Sequence, residues 1–78
     1  MITAAITVTD PAATALYQAA VPELMNTERT TISARHEKET DAVVFTLSSK
    51  DTTAFRAATN GLIHIITVFE KMKQVSHG

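Results

Sequence analysis

The chain has 78 residues and no cysteine, and its seven basic and eight acidic side chains leave a net charge of −1. A single domain of this size buries only about 60 to 65% of the surface its unfolded chain exposes. Without cysteine it has neither a disulfide framework nor a Cys-based zinc site to staple it, so oligomerisation is the expected source of extra stability. The near-neutral balance excludes a chain that grips nucleic acid strongly on charge alone, so any RNA role would have to be shared with a partner.

Thr3 to Thr9 alternates, with Ala4, Ile6 and Val8 on one face and Thr3, Ala5, Thr7 and Thr9 on the other, the period of a half-buried strand. Asp10 stands where an N-cap belongs and Pro11 at a first helical position, so a helix is expected over roughly Pro11 to Val21, with Ala13, Leu16, Tyr17 and Ala20 on its apolar side. Pro22 stops or bends that helix, and Asn26 to Arg29 reads as loop.

A second strand is expected from Thr30 to Glu37, with Ile32, Ala34 and His36 facing one way and Thr31, Ser33 and Arg35 the other. Lys38 to Asp41 is a polar turn without glycine. The third strand, Ala42 to Ser48, places Val43, Phe45 and Leu47 on one face and Val44 on the other, and is the most apolar of the three. Ser48 to Asp51 supplies candidate caps for a last helix that runs to about Gln74, leaving His77 in a tail.

The order β-α-β-β-α makes an α+β fold, a three-stranded antiparallel sheet with two helices on one face. Putting the apolar third strand in the centre makes every pairing antiparallel and keeps it from an exposed edge, so the expected strand order is 2-3-1.

The last helix carries two apolar stripes. Phe55, Thr59, Leu62, Ile66 and Phe69 form one, and Ala57, Gly61, Ile65, Val68, Met72 and Val75 the other, leaving Arg56, Asn60, Thr67, Lys71 and Gln74 a narrower polar arc. A helix on one sheet needs an apolar arc of only about 100°. The first helix is short and covers about half the length of the last one, so a partner chain is the expected cover for the rest, with Gly61, Ile65, Val68 and Met72 as binding positions. Gly61 costs about 1 kcal/mol in mid-helix, and close approach of another backbone is the expected reason.

No P-loop, dinucleotide fingerprint, His-Glu-x-x-His or nucleophile elbow occurs, so neither an enzyme nor a cofactor is expected. His36, His64 and His77 lack the spacing of a metal site, and His64 reads as a solvated or interface residue. Glu37, Glu39 and Asp41 read as a solvated turn. Arg29, Arg35 and Lys38 offer phosphate contacts if they line one rim of the sheet. No run approaches 18 apolar residues and Met1 to Thr9 has no basic stretch ahead of an apolar one, so the expectation is a soluble chain, cytoplasmic or, in a eukaryote, nuclear, with no membrane partner.

The stretch Lys50-Asp51-Thr52-Thr53-Ala54-Phe55-Arg56-Ala57-Ala58-Thr59-Asn60-Gly61-Leu62 resembles the Lys-Asp, Leu-Arg-Ala-Ala and Asn-Ser-Tyr-Leu segment of the Pcc subunit of KEOPS, the complex that installs N6-threonylcarbamoyladenosine in tRNA. Tyr17, Ala19, Pro22 and Glu23 resemble the end of that family's first helix, and the likeness spans nearly the whole chain. Two features depart from it: Gly61 stands where the family often has Ser, and the turn Glu39-Thr40-Asp41 lacks the usual Gly or Asn.

The resemblance implies a non-catalytic homodimeric scaffold whose protomers pair their sheets. Its helices would pack on N-terminal helices of the threonylcarbamoyl transferase subunit, with tRNA bound by the assembled complex. Arg56 and Asn60 match the family motif and so fall at a partner or tRNA surface. The alternatives are an autonomous nucleic-acid-binding or transcription-related module and a divergent paralogue that replaces one copy of the dimer.

Overall fold

The computed structural model describes residues 1–77, with side chains through Met72. Along the chain run β1 (Ile2–Thr9), α1 (Ala13–Ala20), a 3₁₀ turn (Val21–Glu23), β2 (Thr30–Glu37), a second 3₁₀ turn (Lys38–Thr40), β3 (Ala42–Ser49) and α2 (Thr52–His77). The strands form one antiparallel sheet in the order β1-β3-β2, which is the expected order. Among the described residues no helix is long and apolar enough to cross a membrane.

Alternation along the strands decides which side of the sheet is covered. The unbroken register lines up Ile6, Phe45 and Ala34 in one cross-strand row and Ala4, Leu47 and Ile32 in the next, all on the helix-covered face. Both helices pack there: Ala13, Leu16 and Ala20 from α1 and Leu62 from α2 are buried against Val43, Phe45 and Leu47. Phe55, Ile66 and Phe69 are partly buried against the same core. The other face keeps Thr3, Thr7, Thr31, Ser33 and Arg35 exposed and, among the described residues, is covered by neither helix.

Buried hydroxyls at the lower end of the sheet are paired. Thr30 Oγ1 and Ser49 Oγ lie 3.1 Å apart, and the Ser49 hydroxyl is 3.1 Å from the carbonyl oxygen of Arg29, which also accepts the Lys50 N–H at 2.9 Å. A buried hydroxyl without such partners would cost about 1 to 3 kcal/mol. The pairing therefore ties the start of β2 to the turn that launches α2.

β1 and β3 each run one residue longer than expected, from Ile2 and to Ser49, and three helix boundaries differ from the sequence expectation. Asp10 does not cap a helix beginning at Pro11. Its Oδ1 accepts the Ala12 N–H at 2.8 Å and its carbonyl accepts the Ala13 N–H at 2.9 Å, a side-chain turn that delays α1 to Ala13. α1 also ends at Ala20, because Pro22 lacks a donor and tightens the next three residues into a 3₁₀ turn. At the other end, α2 continues past Gln74 to His77, since no breaker precedes Gly78.

The hairpin between β2 and β3 turns without glycine because Asp41 takes the left-handed conformation, φ 50° and ψ 49°. Aspartate is one of the few side chains that visits this region readily.

Candidate docking groove

α1 is eight residues long and α2 twenty-six, so the shorter helix flanks only part of the longer one. Between them runs an apolar groove of about 680 Å³, walled by Ala12, Ala15, Leu16 and Ala19 on one side and Ile65, Val68, Phe69 and Met72 on the other, with His64 at its rim. A second hollow of about 460 Å³ continues along the same flank toward the N-terminus of α2, between Leu24, Met25 and Ile32 and the small residues Ala54, Ala57, Ala58 and Gly61. Glu23 and Ile65 line both, so the two hollows meet there.

The four binding positions expected from the sequence come together on this flank. Ile65 is half-buried, while Gly61, Val68 and Met72 are exposed. Met72, lining the first hollow, is 64% exposed, and Met25, lining the second from the loop after α1, is 75% exposed. A Cβ built on Gly61 would meet nothing within 4 Å. Among the described residues, therefore, no backbone requires this glycine. Val75, from the same stripe, lies outside the described side chains, as does Gln74 of the polar arc.

Glu23 is the only carboxylate lining either hollow and, among the described residues, has no ion-pair partner. A negative charge at the middle of an apolar trough favours an occupant carrying a cation there.

The charged positions expected at a partner or tRNA surface do not gather. Arg56 and Asn60 are exposed on the polar side of α2, away from the groove, where Ile63 joins them with 51% exposure. Arg29 and Lys38 flank opposite ends of β2, about 30 Å apart at the usual strand rise of about 3.3 Å per residue. Arg29 is paired with Asp51 at 2.9 Å and Arg35 with Glu37 at 2.7 Å. Lys38 opens the exposed turn.

Asp51 does two jobs at the base of α2. Its Oδ1 accepts the Ala54 N–H at 2.8 Å as a helix cap and its Oδ2 accepts from Arg29. The Ala54 N–H, then the Arg29 guanidinium, hold this carboxyl below its usual range of about 3.8. Arg29 thus fastens the β2 entry to the helix that carries the groove.

His36 lies half-buried under α1, its ring stacked on Tyr17 with centroids 5.7 Å apart. Among the described residues, no three His, Cys, Asp or Glu side chains are placed to hold a metal ion. Sequence reasoning missed Met25 on the loop wall of the second hollow, because a loop residue carries no periodicity; its place beside the apolar Leu24 after Pro22 was the available signal.

Compared with known proteins, the chain matches no family model, no curated protein and no solved structure.

Proposed function

We propose that this chain is a non-catalytic, two-copy scaffold of the KEOPS type, whose α2 flank docks helices of the threonylcarbamoyl transferase subunit and thereby supports tRNA modification by the assembled complex. The observation that carries the reading is the continuous apolar groove over Ala57, Gly61, Ile65, Val68 and Met72, which α1 leaves open. Its course along α2 and the small residues Ala54, Ala57, Ala58 and Gly61 suit an amphipathic helix laid along it, the groove mode of helix recognition. The resemblance at Lys50 to Leu62 supports the identity of the occupant. In this reading Glu23 receives a Lys or Arg of the docked helix, and the polar side of α2 with Arg56 and Asn60 faces outward, toward a further subunit or tRNA.

Isothermal titration of the purified chain with the transferase subunit tests it. Wild type should bind, and Val68→Asp should weaken binding at least tenfold while leaving the melting temperature close to wild type, because Val68 is already 42% exposed. Unchanged binding by Val68→Asp and by Glu23→Lys would remove the groove from the account. No binding by wild type would remove the transferase.

A further inference from the structure

Any chain laid along the flank of α2 takes Glu23 out of water. This carboxylate stands where the two hollows meet, beside Ile65, and lines both of them. A carboxylate desolvated without a partner opposes binding, so the occupant has to answer the charge. The protein has no cation to spare for it among the described residues. Arg29 is the one Lys or Arg that lines either hollow, and Asp51 holds it at 2.9 Å. His64, at the rim of the first hollow, makes no ion pair.

The place of Glu23 along α2 fixes where that answer falls. Beside α2 the first hollow runs from His64 to Met72 and the second from Ala54 to Ile65. At a rise of about 1.5 Å per residue their joint length is about 27 Å, the span of a helix of about five turns. On the same scale Ile65 lies about 10 Å from the Met72 end and about 16 Å from the Ala54 end, so Glu23 beside it is an interior position. The positive N-terminus of an occupant helix would meet Glu23 only if that helix began there, which would leave one hollow empty. A cationic side chain is the group that fits.

A second copy does not supply it. Packed flank to flank, it would bring Ala57, Gly61, Ile65, Val68 and Met72, none of them cationic, together with a second Glu23, so that like charges share the contact. We infer that the groove takes a single amphipathic helix of about five turns, with apolar side chains in both hollows and a Lys or Arg set against Glu23 about two turns from one end. The inference rests on the docking part of the proposed function and names the length, charge and register of the helix that docks. Glu23 is then a specificity-determining residue. It admits a helix with a cation at that position and rejects one with an acid there, because the closing groove removes the water that would screen the repulsion.

Synthetic helical peptides of about five turns with a leucine stripe test this on the full chain by fluorescence anisotropy. One pair carries a single Arg on the stripe, about two turns from the N-terminus or from the C-terminus, so that either helix direction is served. A second pair has Glu at the same places, and a third has the Arg in the outermost turn. Wild type should bind the better interior-Arg peptide at least tenfold tighter than any control. Glu23→Lys, a change at an exposed turn position that leaves the fold intact, should prefer the Glu peptides. Equal binding of all peptides by wild type, an unchanged ranking in Glu23→Lys, or no binding at high micromolar concentration would overturn the inference. Failure of the transferase is a different result: a chain that ranks the peptides as expected and does not bind the transferase subunit keeps this helix signature and loses the proposed function.

Discussion

Asp41 holds a left-handed backbone with a side chain that pays conformational strain a glycine would not. Asp41→Gly should therefore leave stability unchanged or raise it by up to about 1 kcal/mol, and Asp41→Val should lower it by about 1 to 2 kcal/mol, measured by urea unfolding. Thr59 is a second local cost: its Oγ1 is buried and, among the described residues, meets no hydrogen-bond partner. Thr59→Val keeps the shape and removes the unpaired hydroxyl. It should stabilise the chain by about 1 kcal/mol.

Asp51 links a single carboxylate to acid stability. Folding lowers its pKa through the Ala54 N–H and then Arg29, so the folded state favours the charged form. That contribution is complete above the unfolded value of about 3.8 and fades as pH falls through the lower folded value. Unfolding free energy measured from pH 6 down to pH 2 should drop for wild type below about pH 4. Asp51→Asn keeps an oxygen for the cap and carries no charge, so its acid limb should be flatter; identical limbs would remove Asp51 from the explanation.

At the scale of elements, α2 separates its tasks by face. Leu62 is 1% exposed in the core, and Leu62→Ala should cost about 2 to 5 kcal/mol. Gly61 lies one residue away on the open flank, where added atoms meet nothing. Gly61→Ala should stabilise the free chain by about 1 kcal/mol through helix propensity. If a partner backbone approaches there, the same substitution weakens docking, a reversal that thermal melts and titration read separately.

Most of these elements could be read from residue order because each carries its own period. Val43, Phe45 and Leu47 alternate on β3, and two stripes at helical spacing divide α2 into a core side and a groove side. Contacts between distant residues left no such signature. Arg29 finds Asp51 across 22 positions, which turns an expected phosphate contact into a clasp. Asn26 covers the Ile32 N–H at the edge of β2. The Asp10 boundary slipped for a subtler reason: the same carboxylate can cap a helix or close a turn, and only the backbone ahead of it decides which.

At the scale of the whole molecule, a single sheet with one bare face, and a groove along α2, offer surfaces for association among the described residues. In the proposed reading the groove takes helices of the transferase subunit, so Val68→Asp should leave the two-copy state in place and lose the transferase.

The central claim, that the flank of α2 is the docking face, is tested most directly by methyl-resolved NMR of the labelled chain during addition of the transferase subunit. The account predicts that methyl signals of Ile65, Val68, Met72 and Met25 shift or broaden together, while those of Val44 and Thr46 on the bare sheet face stay in place. Perturbation confined to the sheet face, or to Ile63 on the polar side of α2, would contradict it.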